Sequence, residues 1–95
     1  MWNYTVGYYY QFKNSYRYLT WEQLINKLTR LIKIRDIQLY PETNPKWLAD
    51  ERTCVAEWNG FRAHFHEKPT LSRARDAIIR QHVDNPKFRD FFGFK

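Results

Sequence analysis

The clearest structural signal in this chain is the stretch TCVAEWNGFRAHFH, residues 53–66. Asn59-Gly60 lies between two runs in which apolar and polar residues alternate, and this dipeptide favours the tight turn of a β-hairpin. Because a two-residue loop fixes the pairing register, we expect Trp58 to lie opposite Phe61.

This register separates the hairpin into two faces of opposite polarity. The apolar face pairs Trp58 with Phe61, Ala56 with Ala63 and Cys54 with Phe65. The other face pairs Glu57 with Arg62, Val55 with His64 and Thr53 with His66. We therefore expect one face to pack against a core and the other to face solvent, as in an antiparallel sheet covered on one side.

Two helices are predicted outside the hairpin. Helix one begins after Thr20, since Gln23 follows at the capping-box spacing and apolar residues then recur every three or four positions through Ile32. Helix two is expected over residues 70–84, because a threonine opens this segment and Pro86 follows its end.

Shorter patterns predict three further elements. They are a strand over 2–12 followed by a turn at 13–15, a short strand over 36–40 ended by Pro41, and one or two helical turns over 46–51 after Asn44-Pro45, anchored by Trp47 and Leu48.

The C-terminal tail, residues 87–95, carries four phenylalanines whose spacing fits a helical turn or a closing strand, and we expect it to pack. With the tail as a strand and 36–40 as a loop, the order is the β-α-β-β-α-β plan of the ferredoxin-like folds. Otherwise it is an antiparallel sheet with two helices packed on one face. Both plans are α+β, and 95 residues predict one compact domain, residues 1–95.

Composition excludes several classes of protein. The single cysteine, Cys54, rules out an internal disulfide framework and a cysteine-rich zinc module, which favours a reducing, cytoplasmic setting. Residues 1–5 have neither a basic nor an apolar leader pattern, and no apolar run is long enough for a membrane span. No nucleotide fingerprint or nucleophile–base arrangement stands out. We therefore predict that the protein is not an enzyme and binds no cofactor. The sequence does not indicate an oligomeric state.

The charge is positive and unevenly distributed. The chain has 16 Lys and Arg against 10 Asp and Glu, a net charge of +6, and residues 36–60 alone hold five acidic and two basic side chains. The excess of positive charge therefore lies on the two helices and the first turn, and helix one carries Lys27, Arg30 and Lys33. Such a surface attracts polyanions, although it also suits a helix face that is simply solvated.

The start of helix two has an unusual charge. Acidic residues normally stabilise the first turn of a helix, yet here the first turn lacks them. The segment instead contains Lys68, Thr70, Ser72, Arg73 and Arg75. Free N–H groups, hydroxyls and guanidinium groups in this arrangement predict a phosphate site. The alternative is that Glu67 and Asp76 neutralise the arginines.

The face of the sheet that is expected to face solvent is a second candidate surface. It would contain Tyr9, Arg62, His64 and His66, with Thr5 and Gln11 nearby. Exposed aromatic and basic side chains on an open sheet are typical of proteins that stack single-stranded bases.

The pattern His64-Phe65-His66 is similar to the metal-binding motif of rolling-circle and relaxase nucleases, which also use a ferredoxin-like sheet. That family needs a nucleophilic tyrosine on a downstream helix, whereas every tyrosine of this chain lies at or before Tyr40. We therefore predict no catalytic residue and no metal site, and we expect Cys54 to be a buried thiol.

The order of elements is similar to that of double-stranded-RNA-binding domains, which set lysines at the start of their last helix against phosphates. The resemblance implies this role for Lys68, Arg73 and Arg75. The loop that this family inserts into a minor groove has no counterpart here. Asn59-Gly60-Phe61 is also similar to the start of an RNA-recognition-motif strand, but Ala63 stands where that family has an exposed aromatic residue.

The sequence thus predicts a small basic module that binds nucleic acid, either DNA or RNA. The predicted contacts are Lys68, Thr70, Ser72, Arg73, Arg75, Arg62, His66, Lys27, Arg30 and Lys33. The alternative is an inhibitor or adaptor of the phage or mobile-element type that blocks a host nucleic-acid enzyme or defence complex. Its predicted contacts are Tyr40, Trp47, Phe91 and Phe92, since exposed aromatic residues form binding hot spots.

Overall fold

The structure, a computed structural model, describes residues 8–12 and 15–93. The elements, in chain order, are β1 (Tyr8–Phe12), β2 (Ser15–Leu19), α1 (Trp21–Leu31), a single 3₁₀ turn (Ile34–Asp36), β3 (Gln38–Pro41), β4 (Cys54–Trp58), β5 (Phe61–Phe65), α2 (Leu71–His82) and α3 (Pro86–Asp90). The predicted α+β class is confirmed. Within the described ranges, no helix has the length and apolar character needed to cross a membrane.

The central sheet is antiparallel, in the order β3-β4-β5. The hairpin register is the predicted one, from Trp58 opposite Phe61 to Cys54 opposite Phe65, where the ladder ends one pair earlier than expected. Asn59 and Gly60 have φ values of 49° and 86°. Both values are positive, as a two-residue type I′ turn requires.

Both main helices contribute to one core against this sheet. The capping box of α1 is formed, because the Thr20 hydroxyl accepts from the Gln23 N–H at 3.1 Å and the Gln23 side chain accepts from the Thr20 N–H at 2.9 Å. The buried core side chains include Leu24 and Leu28 from α1 and Ile32 just after it, Ala56, Trp58 and Ala63 from the sheet, and Ala74, Ile78 and Ile79 from α2. The small alanines of β4 and β5 let the helical layer approach the sheet closely.

The N-terminal region differs from the prediction. The strand expected over 2–12 is present at Tyr8–Phe12, while residues 1–7 lie outside the described residues. It pairs with β2, at residues 15–19, in a separate two-stranded sheet. Ser15 therefore begins a strand, although the sequence analysis assigned it to a turn. The alternation of SYRYL carries the signal for β2, since aromatic residues at every second position favour strands.

The segment in which one or two helical turns were expected over residues 46–51 forms a single turn. Asn44 accepts hydrogen bonds from the N–H groups of Trp47 and Leu48, which makes one turn, and the helix does not continue. The Asp50 carboxylate then accepts from the Arg52 N–H at 2.8 Å, a local bond that competes with helical pairing. Trp47 and Leu48, predicted to anchor this segment, are each 47% exposed.

The C-terminal tail forms a helix, α3, instead of a closing strand. Asn85 caps it, and Phe88 is fully buried with its ring 4.9 Å from that of Phe61 and 5.8 Å from that of Trp58. Phe94 lies outside the described residues. Because β3 is a strand and α3 is a helix, the ferredoxin-like order is not confirmed, and the structure matches the plan with two main helices on one face.

We expect Phe88→Ala to lower the free energy of unfolding by about 3–5 kcal/mol, because a fully buried ring leaves a cavity when it is truncated. Phe91→Ala is the matched control, since that ring is 57% exposed and its loss should cost well under half as much. Urea denaturation of both variants measures the difference. Equal losses would show that α3 does not dock through Phe88.

Candidate nucleic-acid interface

Arg75 joins the two main helices. Its Nη1 donates to the backbone carbonyl of Ile32 at 3.2 Å, and its side chain is half-buried. Carbonyl groups at the end of a helix lack intrahelical donors and carry partial negative charge, so a guanidinium group there is stabilising. Arg75, which the sequence analysis assigned to phosphate binding, therefore positions the end of α1 beside α2.

Arg73 lies on a different side of α2. Two positions along a helix correspond to a rotation of about 200°, so Arg73 and Arg75 project in nearly opposite directions. Arg73 is exposed and borders a shallow groove with Phe65 and Ala77. The two arginines are therefore not parts of one phosphate cradle.

The acidic neighbours do not neutralise these arginines. Asp76 instead pairs with Arg80, one turn further along α2, at 3.0 Å. Within the described part of the chain, neither Glu67 nor Asp76 forms an ion pair with Arg73 or Arg75. The first turn of α2 also lacks an acidic residue.

The hydroxyl of Thr70 already has a role in the fold. It accepts the N–H of Arg73 at 3.2 Å and so caps α2. Ser72, in the first turn, is exposed. Of the two hydroxyl groups predicted to bind phosphate, only that of Ser72 has no role in capping α2.

Three further predicted cations lie on α1 or just after its end. Arg30 and Lys33 are exposed, whereas Lys27 is partly buried. Arg30, Lys33, Lys68 and Arg73 are exposed and have no carboxylate within 4.0 Å among the described residues, a property that Arg35, Lys46 and Lys87 share. We call the first four of these residues the cationic surface.

The second predicted surface is not assembled. Tyr9 and Gln11 belong to the separate β1–β2 sheet, and Thr5 lies outside the described residues. Arg62 donates to Glu57 across the strands at 3.1 Å, and His66 is exposed beyond the end of β5. Arg62 is therefore engaged by Glu57, and Tyr9 belongs to a different sheet from Arg62 and His64.

The outer face of the sheet is also less open than predicted. Val55 and Thr53, expected in solvent, are buried, with exposed fractions of 8% and 4%. His64 Nδ1 lies 2.6 Å from Glu42 Oε2, and the His64 ring stacks on Trp47 with centroids 4.1 Å apart. This cluster is not predictable from the sequence, because nothing in the local pattern links Glu42 to His64.

His64 thus bonds to a carboxylate and does not form a shared metal site with His66. Among the described residues, no group of three His, Cys, Asp or Glu side chains could hold a metal ion. The Asn44 N–H, followed by the His64 side chain, lowers the pKa of Glu42 below its usual range. The carboxylate therefore accepts two hydrogen bonds in its ionised form.

Cys54 is a buried free thiol, as predicted. Burial raises the pKa of this thiol, and Lys68 opposes the shift to a smaller extent. A raised thiol pKa leaves little thiolate at neutral pH, which disfavours nucleophilic chemistry.

The residues of the alternative protein-binding surface are partly presented to solvent. Tyr40 is 41% exposed and Phe91 is 57% exposed, whereas Phe92 is partly buried and stacks on Trp58 at 5.5 Å. Phe92 therefore belongs to the packing around Trp58 more than to a contact surface.

We expect Arg75→Ala to lower the free energy of unfolding by about 1–2 kcal/mol, because it removes a charged donor from the end of α1. Arg73→Ala removes the same charge without a protein partner and should change it by less than about 0.5 kcal/mol. Chemical denaturation compares the two. If Arg75→Ala leaves the free energy of unfolding unchanged, Arg75 does not stabilise the helix contact and is again a candidate phosphate-binding residue.

Comparison with known proteins finds no match to this chain among family models, curated proteins or solved structures. Its function must therefore be inferred from its own residues.

Proposed function

We propose that this protein binds nucleic acid through phosphate contacts made by the cationic surface. The observation that carries the proposal is that Arg30, Lys33, Lys68 and Arg73 are exposed and have no carboxylate partner among the described residues. Exposed cations without carboxylate partners bind polyanions by releasing the counterions of the ligand.

The placement of these cations favours a polymer over a single small anion. The Arg75–Ile32 bond sets the end of α1 against α2, and Arg73 projects away from that contact. A helix with its side chains is about 10 Å wide, so one phosphate cannot contact both groups of cations. Successive phosphates of a nucleic-acid backbone can, because one charge follows another every few ångströms.

Each predicted contact has a distinct part in this proposal. Lys68 and Arg73 bind phosphates near the positive end of α2, with Ser72 as a neutral donor. Arg75 acts indirectly, by positioning α1. Lys27 supplements the α1 group, while Arg62 and His66 lie outside the cationic surface. The proposal includes no reaction and no cofactor.

Lys68→Ala and Arg73→Ala should each weaken binding of any sequence and reduce the slope of log K against log salt concentration by about 1. Fluorescence anisotropy with single-stranded DNA, duplex DNA and duplex RNA over a salt series measures both effects. Lys87→Ala is the matched control, because it removes the same charge from an exposed position on α3.

Preference among the three ligands would identify the nucleic acid. An absence of binding even at low salt would refute the proposal. An equal loss from Lys87→Ala would show that only net charge matters and that no defined surface exists.

The second candidate is the protein-binding inhibitor or adaptor. The specific observation that favours it is the exposure of large apolar side chains at Trp47, Leu48 and Phe91. Tryptophan and other large side chains of this kind dominate binding energies at protein interfaces.

Under this candidate, a host protein should be retained by the wild-type chain after nuclease treatment and lost from Trp47→Ala or Phe91→Ala. Affinity capture followed by mass spectrometry provides the measurement, and Lys87→Ala again serves as the control. A partner that is retained equally by all variants would argue against these aromatic contacts.

A further inference from the structure

The segment between β3 and β4, residues 42–52, lies across the outer face of the sheet; we call it the strap. Its own turns hold its shape, since Asn44 and Asp50 accept backbone hydrogen bonds from residues two to four positions later. The Glu42 N–H donates to the Thr53 carbonyl at 3.0 Å, which closes the base of the strap beside β4.

The strap contacts β5 through one side chain of that strand, His64. Glu42 Oε2 lies 2.6 Å from His64 Nδ1, and the Glu42 side chain is only 5% exposed. Trp47 stacks on the same imidazole ring, with an interplanar angle of 7°. Among the described residues, the side-chain hydrogen bonds, ion pairs and ring contacts between the strap and β5 all converge on His64.

The strap is separate from the hydrophobic core. The core side chains come from α1, the sheet, α2, α3 and Ile37, and none belongs to residues 42–52. On the opposite face of β4, Val55 and Thr53 are buried. The Thr53 hydroxyl donates to the Asp50 carbonyl of the strap at 2.7 Å, and Val55 lies opposite His64, on which Trp47 stacks. Lifting the strap would expose that face while leaving the contacts between the sheet and the helices intact.

We propose that the strap opens and closes on the sheet independently of the core, with the Glu42–His64 pair as a latch that protonation of Glu42 releases. This device is distinct from the cationic surface and does not depend on nucleic-acid binding. Its open state would uncover Val55 and free Trp47 from His64.

The direction of the pH effect follows from the carboxylate. The pKa of Glu42 is lowered in the folded state, first by the Asn44 N–H and then by His64. The contribution of the latch is therefore complete above the ordinary carboxyl pKa and is lost as the pH falls through the lowered value. The His64 Nδ1–H can donate to the carboxylate whether the imidazole is neutral or charged, so the bond requires only that Glu42 be ionised.

Other charged groups near His64 are already engaged. Glu57 and Arg62 border the same groove and pair with one another at 3.1 Å. The Tyr40 hydroxyl bonds to Gln38, and the Lys46 ammonium lies 5.5 Å from the centre of the Trp47 ring. Glu42 is therefore the carboxylate that bonds the His64 ring.

The first test uses Glu42→Gln and His64→Phe, the second of which keeps an aromatic ring against Trp47. Both should increase the rate of tryptic cleavage after Lys46 by about tenfold, because proteolysis tracks the population of the open state. Hydrogen exchange should show unchanged protection of β4, β5 and α2. Glu51→Gln, an exposed strap carboxylate without an ion pair, is the matched control and should cleave at the wild-type rate.

A second measurement needs no change to the latch. In wild-type protein labelled with 5-fluorotryptophan, the Trp47 signal, assigned with Trp47→Phe, should shift on acidification before the Trp58 signal does. Simultaneous changes at Trp47 and Trp58 would overturn the proposal, since they would indicate global unfolding. Equal cleavage of Glu42→Gln and Glu51→Gln would overturn the role of the latch.

Discussion

The two-residue turn at Asn59-Gly60 sets the register on which both faces of the sheet depend. It places Trp58 beside Phe61, and these two rings form the surface on which Phe88 docks. The same register places His64 opposite Val55 on the other face, where the strap closes. A one-residue slip would exchange the faces, so the docking of α3 and the latch would be lost together.

Two arginines on α2 illustrate how position decides the work of a charged side chain. Arg75 faces α1 and donates a hydrogen bond to the carbonyl of Ile32, so its charge stabilises the contact between the two helices. Arg73, two positions earlier, faces solvent with its charge unneutralised by any described carboxylate. A cluster of basic residues in a sequence therefore overstates the size of a binding surface, because some of its members cap helices.

Large aromatic side chains serve this small domain in two ways. Around Trp58, rings from β5 and α3 pack edge-on or stacked and bury much of the apolar surface that the chain has available. On the opposite face, Trp47 covers His64 while remaining 47% exposed. The first cluster stabilises the fold, whereas the second leaves the Trp47 ring partly exposed on His64, the partner of the buried Glu42 carboxylate.

Short-range signals in the sequence were sufficient for the hairpin register, the capping box at Thr20 and the existence of both main helices, because each depends on residues within a few positions. Periodicity left open whether the tail is a helix, and the assembled core decided it by seating Phe88 between Trp58 and Phe61. The joint at Arg75 connects residues 43 positions apart, and the latch connects residues 22 positions apart. Only the tertiary structure determined these pairs, because the local alternation of apolar and polar residues does not depend on a partner far away in the sequence.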